Sequence, residues 1–254
     1  MDRFNFNDKI VVVTGASRGI GKSIALAFGE AGANVVVAAR KIDLLKQAVK
    51  EIQTKGGDGF YAECDLTRDK DIYNLIAKTV DRYGRLDILV NNAGISPFVK
   101  KSEEVSIEEW EEVIRVNLTA PFLLCREAGK IMIQNNWGRI INVASIGGLV
   151  GFPRQIAYCV AKGGLLQMTK VLAVEWIQKY NITVNAIAPG YIATDLTAGM
   201  RASKKISENL LQRTPIRRFG EPNEVVGAAL YLASEFAGYT NGTVLIIDGG
   251  WMAS

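Results

Sequence analysis

The chain has 254 residues, of which 48% are hydrophobic and 22% are charged, and this composition excludes disordered, collagen-like and coiled-coil chains. Thirty Lys and Arg residues against 26 Asp and Glu residues give a net charge of +4. The basic residues are scattered along the chain, and no apolar run approaches the length of a membrane span. We therefore expect neither nucleic acid nor a membrane as a partner.

The sequence contains no histidine, which excludes Ser-His-Asp hydrolysis, Cys-His proteolysis and most catalytic zinc sites. No metal site is expected. The three cysteines, Cys64, Cys125 and Cys159, are too far apart for a Cys-x-x-Cys motif and too few for a paired disulfide framework. The N-terminal segment Met1–Asn5 lacks a signal-type apolar stretch. These features favour a reducing, cytoplasmic location.

Seven short runs of apolar, largely β-branched residues alternate with helical patterns along the chain: Ile10–Val13, Val35–Ala38, Phe60–Cys64, Leu86–Val90, Arg139–Val143, Thr183–Ala186 and Val244–Ile247. Continuous hydrophobicity is typical of strands that are buried on both faces, as in a parallel sheet covered by crossover helices. The pattern predicts an α/β protein, with a Rossmann-like, doubly wound parallel sheet of seven strands in a single domain spanning residues 1–254.

Three features refine the helical segments. One apolar stripe marks the first helix and consists of Ile20, Ile24, Ala27 and Phe28. Ser106 and Glu109 form a capping-box pattern for a helix that runs to about residue 134, and Pro121 predicts a kink or a break in it. The stretch 190–215 has a weaker pattern, rich in small and polar residues, and is expected to form a lid-like insert.

A glycine-rich turn follows the first strand, in the segment Thr14–Gly21 with the sequence TGASRGIG. Such a turn lets the backbone approach a pyrophosphate, whose charge is met by free N–H groups and the dipole of the next helix. The spacing Gly-x3-Gly-x-Gly differs from the common Gly-x-Gly-x-x-Gly fingerprint. The glycines also fit a purely structural role in close helix–strand packing, but the first strand–helix turn is where such folds bind nucleotides.

Five motifs in order resemble the short-chain dehydrogenase/reductase family over essentially the whole chain: Thr14-Gly15-x3-Gly19-x-Gly21, Asn91-Asn92-Ala93-Gly94, Ser145, Tyr158-x3-Lys162 and Pro189-Gly190. The resemblance implies a seven-stranded parallel sheet that binds NAD or NADP. The sequence is most similar to the single-domain branch with gluconate 5-dehydrogenases, other sugar or polyol dehydrogenases and 3-oxoacyl-acyl-carrier-protein reductases.

The resemblance implies four catalytic residues. Tyr158 and Lys162 lie four residues apart and share a helix face, so we expect the ammonium to lower the phenol pKa from its ordinary value of about 10. Ser145 ends the fifth strand and is expected to orient a substrate carbonyl rather than act as a nucleophile. Asn117 matches the family's helix asparagine, which holds a water in a proton relay, although a buried amide also fits a structural role.

The implied cofactor-binding residues come from the loops at the carboxyl ends of the strands: Gly15, Ser17, Arg18, Gly19, Ile20, Gly21, Arg40, Asp65, Leu66, Asn91, Ala93, Gly94, Tyr158, Lys162, Pro189, Gly190, Ile192 and Thr194. NADP(H) is the expected cofactor, because Ala39 replaces the acid of NAD-specific relatives and Arg40 and Arg18 suit a 2′-phosphate. The alternative is that these two arginines are solvated side chains on the protein surface.

Other cofactor assignments also have plain structural alternatives. Asp65 fits a helix cap before Thr67, Asn91 fits stabilisation of the central sheet, and Ile192 and Thr194 fit packing of the lid.

The arrangement as a whole predicts an NADP(H)-dependent oxidoreductase that interconverts a secondary alcohol and a carbonyl by hydride transfer. A non-catalytic NADP-sensing protein of the same fold is the alternative from another class, and it is disfavoured because all four catalytic residues are present.

The expected substrate is a small molecule such as a sugar acid, polyol or small ketone, and the alternative activity is 3-oxoacyl-acyl-carrier-protein reduction. Carrier-protein reductases dock their acidic partner on a patch of basic residues. The corresponding places in this chain are 135–137 and 179–180, and half of the basic patch is missing there. Arg154 fits either a substrate carboxylate or an exposed surface. The C-terminal segment Asp248–Trp251 resembles the sugar-acid branch. The family resemblance also implies a homotetramer formed through segments 106–134 and 156–179.

Overall fold

One seven-stranded parallel sheet organises the chain, in the order β3-β2-β1-β4-β5-β6-β7. The computed structural model describes residues 4–254, so the first three residues of the N-terminal segment considered above lie outside the described residues. The strands are β1 Ile10–Thr14, β2 Asn34–Ala39, β3 Asp58–Glu63, β4 Ile88–Asn91, β5 Gly138–Val143, β6 Ile182–Pro189 and β7 Val244–Ile247. The predicted fold class and all seven strands are confirmed, with shifted boundaries.

Helices cover both faces of the sheet: α1 Gly19–Glu30, α2 Ile42–Thr54, α3 Asp69–Tyr83, α4 Ile107–Ile114, α5 Ala120–Gln134, α6 Ile156–Tyr180, α7 Ala198–Ala202, α8 Lys204–Gln212 and α9 Val226–Ala233. Within residues 4–254, no helix is both long and apolar enough to cross a bilayer. The insert 190–215 carries α7 and α8 after a short 3-10 helix, Asp195–Thr197.

Alternate residues of the central strands enter two separate hydrophobic cores. Val11 and Val13 pack on the side that contains Phe28 of α1, whereas Val12 packs on the side that contains Leu124 of α5. All of these side chains have no exposed surface. Burial on both faces explains why the strands read as continuous apolar runs. The buried stripe of α1 is centred differently from the prediction, since Ile20 and Ala27 are only half-buried.

The long helix over 107–134 changes its winding between α4 and α5. Residues Arg115–Thr119 form a π turn, in which the N–H of Ala120 donates to the carbonyl of Arg115 five residues earlier. Pro121 has no N–H to offer the carbonyl of Asn117 four residues before it, and the backbone widens at this point. The predicted change in this helix is confirmed, and it falls one turn before Pro121.

A chain of buried polar side chains crosses the core beside β4 and β5. Asn91 donates through Nδ2 to Oδ1 of Asn142 at 2.9 Å, and Asn142 donates to Oγ1 of Thr169 on α6 at 2.9 Å. The Thr169 hydroxyl in turn donates to the carbonyl of Leu165. Since unpaired polar groups are costly in a core, these bonds fix the register of α6 against the sheet.

Two buried threonines test the value of this network. Thr169→Val should lower the free energy of unfolding by about 1–2 kcal/mol, because it leaves the Asn142 amide without its acceptor. Thr183→Val is the matched control: Thr183 is equally buried, and its hydroxyl has no hydrogen-bond partner within the described residues. It should be neutral or stabilising. Urea denaturation of both variants measures the difference, and equal losses would contradict a structural role for the network.

Candidate active site

A cleft of about 740 Å³ opens at the carboxyl ends of the parallel strands. Its lining comes from the loops after the first six strands of the sequence, and it contains residues from all five motifs. β1 pairs with β2 on one side and with β4 on the other, so the crossover direction reverses between β1 and β4. Ligand sites of doubly wound sheets lie at this reversal.

The glycine-rich turn has a conformation and a closeness of packing that other residues would disturb. Gly15 and Gly19 have φ values of 65° and 57°, in the left-handed region. A Cβ at Gly21 would lie 2.3 Å from Nδ2 of Asn92, and a Cβ at Gly15 would lie 2.8 Å from Cα of Ala93. The glycines therefore have the structural role in close packing that the sequence left open. Ser17, Gly19 and Ile20 line the cleft at the start of α1.

Thr14 and Asn92 join the ends of β1 and β4, a contact that sequence reasoning did not assign to them. The Thr14 hydroxyl accepts the N–H groups of Asn92 at 3.1 Å and Ala93 at 3.2 Å. The Asn92 side chain donates to the Thr14 carbonyl at 2.9 Å. The only signal in the sequence was the position of both residues inside motifs. These bonds hold Ala93 and Gly94 at the edge of the cleft.

The far end of the cleft is lined by Arg40, Asp65 and Leu66. Asp65 Oδ1 accepts bonds from the N–H and the hydroxyl of Thr67, which closes a turn before α3. Asp65 is not the cap of that helix, since α3 begins at Asp69 and its N-cap residue is Arg68. Burial alone would raise the pKa of Asp65, but the bonds from Thr67 and the positive charges of Arg40 and Arg68 outweigh it and lower this pKa. Asp65 is therefore a fixed acceptor, and Arg40 is an exposed cation facing the same space.

Arg18 does not stand as an unpaired cation. Its guanidinium forms an exposed ion pair with Asp195, at the start of the short 3-10 helix of the insert. The contact connects the glycine-rich turn with the insert across the mouth of the cleft. Exposed pairs of this kind are weak, so an anionic ligand can compete with Asp195 for Arg18.

Ser145, Tyr158 and Lys162 meet at the other end of the cleft. Ser145 Oγ accepts the N–H of Gly147 at 3.0 Å, which leaves the hydroxyl proton available for another acceptor. Lys162 is 4% exposed, and its Nζ donates to the carbonyl of Val143 at 2.8 Å. The same Nζ lies 5.9 Å from the centroid of the Tyr158 ring. Residues from β5, its following loop and α6 thus converge on one point.

In the chain without ligands, burial has a larger effect on the pKa of Tyr158 than the charge of Lys162. It raises the pKa of Tyr158 above its ordinary value, and the neighbouring Ser145 hydroxyl offsets only part of this effect. Burial also lowers the pKa of Lys162 to about 8. The expectation that the ammonium lowers the phenol pKa is therefore wrong for the chain alone, because the Lys162 ammonium is directed at Val143 and is itself destabilised by burial.

Three predicted residues are near the cleft without lining it. Gly21 packs against Asn92 as described above, and Asn91 directs its side chain into the core toward Asn142. The side chain of Asn117 is fully buried and binds both the N–H and the carbonyl of Ile95, at 2.9 and 2.7 Å. For Asn91 and Asn117 the structural alternatives account for the observed contacts, because the hydrogen bonds of both side chains lie inside the protein. Oδ1 of Asn91 is buried without a partner within residues 4–254.

Asn117 and Lys162 nevertheless support the same backbone segment. A Cβ at Gly94 would lie 2.9 Å from Oδ1 of Asn117 and 3.3 Å from Nζ of Lys162. Only a glycine allows the loop after β4 to pass so close to both side chains. Pro189, Gly190, Ile192 and Thr194 line the cleft from the loop after β6, as predicted. Ile192 is also buried against Gly220, so the lid-packing alternative holds for it as well.

The cleft satisfies the demands of a dinucleotide. The start of a helix after a glycine-rich turn is the kind of place that binds a pyrophosphate, and the acceptor Asp65 and the exposed Arg40 lie beyond it. The other end brings a hydroxyl, a phenol and an ammonium together. No group of His, Cys, Asp and Glu residues within 4–254 is arranged to hold a metal ion. Fold and cleft together define an enzyme class, the oxidoreductases that use a soluble dinucleotide.

Comparisons with known proteins agree with this class. The family model described as enoyl-(acyl carrier protein) reductase matches residues 15–252. A 3-oxoacyl-[acyl-carrier-protein] reductase of Synechocystis sp. is 39% identical over 95% of this chain and 96% of its own length. A 2-dehydro-3-deoxy-D-gluconate 5-dehydrogenase of Pseudoalteromonas atlantica is 38% identical over 99% of each chain.

Solved structures show the same relationship. A gluconate 5-dehydrogenase from Burkholderia cenocepacia J2315, in complex with NADP and tartrate, superimposes with a TM-score of 0.94 at 32% identity, and the match covers 100% of this chain and 98% of that chain. The chain belongs to the short-chain dehydrogenase/reductase family. It is an NAD(P)-dependent oxidoreductase.

The lowered pKa of Lys162 predicts a pH dependence of stability without ligands. Between about pH 8 and the ordinary lysine pKa, the unfolded chain binds a proton that the folded chain has lost. The free energy of unfolding contributed by this residue therefore rises with pH. Relative to Lys162→Met, the wild type should gain about 2 kcal/mol between pH 7.5 and 9.5. Urea unfolding across this range measures the gain, and identical pH slopes would rule out the burial effect.

Proposed function

We propose that the protein is an NADP(H)-dependent oxidoreductase that interconverts a secondary alcohol and a carbonyl, with Tyr158 as the acid/base. The observation that carries the proposal is the convergence of Ser145, Tyr158 and Lys162 at one end of a dinucleotide-sized cleft. A chain without histidine has few other proton donors to offer, and this phenol lies next to a hydroxyl suited to bind a carbonyl oxygen.

The bound nicotinamide supplies the hydride, and the residues of the chain do the rest. Ser145 donates a hydrogen bond from its hydroxyl to the substrate oxygen, keeps its own proton and holds the carbonyl in place. Tyr158 gives its proton to the same oxygen as negative charge develops there. Because burial raises the pKa of Tyr158, the phenol is protonated at neutral pH, which suits the reduction direction. Asn117 and Lys162 hold the loop after β4 in place.

The cofactor-binding residues follow from their positions around the cleft. The turn with Gly15, Ser17, Gly19 and Ile20 takes the pyrophosphate, and Ala93 and Gly94 lie beside the adenosine half. Asp65 and Leu66 contact the adenine end, and Pro189, Gly190, Ile192 and Thr194 contact the nicotinamide end. Arg40 binds the 2′-phosphate, with Arg18 available once it leaves Asp195. A relative whose crystal structure contains NADP supports this choice of cofactor.

The proposed substrate is a small polar hydroxy or keto compound, such as a sugar acid, a polyol or a small ketone. Relatives named as gluconate dehydrogenases support it, as does the missing half of the basic patch at 135–137. The alternative is reduction of a 3-oxoacyl chain on an acyl carrier protein, favoured by the Synechocystis relative of that name. A non-catalytic NADP sensor is disfavoured, because such proteins typically lack the catalytic tyrosine or lysine and this chain has both Tyr158 and Lys162.

Assembly and location complete the proposal. The chain forms a homotetramer through α5 and α6, where the large apolar side chains Phe122, Val171 and Val174 are exposed. It works in the cytoplasm as one domain, and the insert 190–215 closes over the ligands as a lid. Size-exclusion chromatography with light scattering tests the assembly.

The substrate is tested by NADPH oxidation with 5-keto-D-gluconate, small diketones, aromatic ketones and an acetoacetyl thioester, each followed at 340 nm. The proposal expects the highest kcat/KM for one of the small polar ketones. A thioester preferred by orders of magnitude would establish the carrier-protein reductase instead, and absence of turnover with every carbonyl, despite NADPH binding, would favour the sensor.

Tyr158→Phe tests the acid/base assignment. The variant keeps the packing of the ring but has no proton to transfer, so kcat should fall at least about 100-fold while the dissociation constant for NADPH stays within about twofold. Steady-state kinetics and fluorescence titration with NADPH measure the two quantities. Near-wild-type kcat would exclude Tyr158 as the proton donor.

Cofactor choice is tested at the end of β2. Replacing Ala39 with Asp and Arg40 with Ala should reverse the preference for NADPH over NADH, because it adds an acceptor for a ribose hydroxyl and removes the partner of a 2′-phosphate. The ratio of kcat/KM values for the two cofactors should change by about 100-fold or more. Arg68→Ala, outside the cleft lining, is the control. A wild type that uses both cofactors equally well would contradict the assignment.

A further inference from the structure

An aromatic cluster lies beside the proposed catalytic end of the cleft, formed by residues far apart in the sequence. Phe152 and Tyr191 stack with ring centroids 6.0 Å apart, and Trp251 meets them edge-on at 5.7 and 6.4 Å. The three rings come from the loop after β5, the loop after β6 and the C-terminal segment. The three rings are not part of the cleft lining, and they form a firm apolar wall next to its proposed catalytic end.

The cluster is directly connected to the reacting groups. A Cβ at Gly147 would lie 3.1 Å from the ring of Phe152 and 3.4 Å from Oγ of Ser145, so ring and hydroxyl face the same small space. Tyr191 is close enough to Tyr158 for its charge to raise the pKa of Tyr158. A substrate whose carbonyl reached Ser145 would therefore have the ring of Phe152 as a near neighbour.

The outer side of the wall carries a free cation. The guanidinium of Arg213 stacks over the ring of Trp251 at 4.6 Å from its centroid, and it forms no salt bridge with any acidic side chain of residues 4–254. Its positive charge also reaches Tyr191, whose pKa burial raises and Arg213 lowers. The planar guanidinium fork of an arginine without an acidic partner is suited to bind a carboxylate through two N–H groups.

Two neighbouring polar groups belong to Trp251 and Tyr191. Nε1 of Trp251 is buried without a hydrogen-bond partner in the described part of the chain. The Tyr191 side chain beside it is half-buried, and its hydroxyl is not one of the fully buried polar atoms. A buried donor without an acceptor is costly unless a ligand satisfies it.

We propose that Arg213, with the Tyr191 hydroxyl beside it and the rings of Phe152 and Trp251 as a wall, binds the carboxylate of the substrate and makes the enzyme select acids over neutral polyols. The inference rests on the proposed function, because it places the substrate carbonyl at Ser145 and Tyr158. It gives the enzyme a sugar acid, or another hydroxy or keto acid, as its substrate class.

Arg154, which the sequence suggested for this task, has a different environment. Its backbone lies in the left-handed region at φ 66°, its carbonyl accepts the N–H of Lys100, and its side chain is exposed. Neither Arg154 nor Arg213 is part of the cleft lining, so the contact with the aromatic cluster distinguishes them. Of these two exposed arginines, Arg154 and Arg213, the second contacts the aromatic cluster through Trp251.

Two six-carbon probes that differ at one terminal carbon test the proposal. D-Gluconate carries a carboxylate where D-sorbitol carries a hydroxymethyl group, and both are titrated calorimetrically into the NADPH-loaded enzyme, where neither can be oxidised. Arg213→Ala should weaken gluconate binding about 10- to 100-fold and leave sorbitol binding within about twofold. Arg213→Lys should lose less, since it keeps the charge without the planar fork, and Arg154→Ala is the matched control with no change.

Turnover separates this inference from the proposed function. With NADPH, 5-keto-D-gluconate and its neutral counterpart L-sorbose are compared in the same variants, and Arg213→Ala should raise KM for the acid alone. If the wild type binds gluconate through Arg213 but reduces neither ketone, the carboxylate site stands and the proposed reaction fails. If Arg213→Ala affects both probes equally or neither, or if the wild type binds gluconate no better than sorbitol, the inference is overturned whatever the enzyme reduces.

Discussion

The junction between Thr14 and Asn92 determines the geometry of the whole cleft. Three hydrogen bonds tie the end of β1 to the loop after β4 at the one place where the crossover direction of the sheet reverses. This closeness requires Gly15 and Gly21, because any side chain there would strike the Asn92-Ala93 segment. The glycine-rich turn is therefore first a packing device, and its exposed N–H groups are available to phosphate as a consequence.

Burial then decides the chemistry that the cleft can perform. The same loop after β4 passes close to Asn117 and Lys162 at Gly94, and the buried ammonium of Lys162 donates to the carbonyl of Val143. In this setting the phenol of Tyr158 stays protonated and the lysine is easily deprotonated. The site is thereby prepared to give a proton, and the sheet that holds it needs no histidine for the task.

Patterns of neighbouring residues in the sequence predicted those features of this enzyme that depend on interactions within one segment of the chain. The apolar runs indicated all seven strands because both faces of the sheet are buried, and the motifs with their neighbouring positions predicted half of the residues that line the cleft. Contacts between distant segments were not accessible in this way. The ion pair of Arg18 with Asp195 and the stacking of Arg213 on Trp251 join residues whose proximity exists only after folding. For Tyr158, the sequence indicated a lysine nearby but not the degree of burial, which outweighs the lysine's charge.

A crystal structure of the enzyme grown with NADP⁺ tests the central claim most directly, namely that one cleft at the reversal of the sheet holds both the dinucleotide and the reacting carbonyl. The account predicts density for the pyrophosphate at the turn of Gly15 and Gly19, the 2′-phosphate at Arg40, and the nicotinamide beside Ser145 and Tyr158. A dinucleotide bound on another surface, or one whose nicotinamide points away from Tyr158, would contradict it.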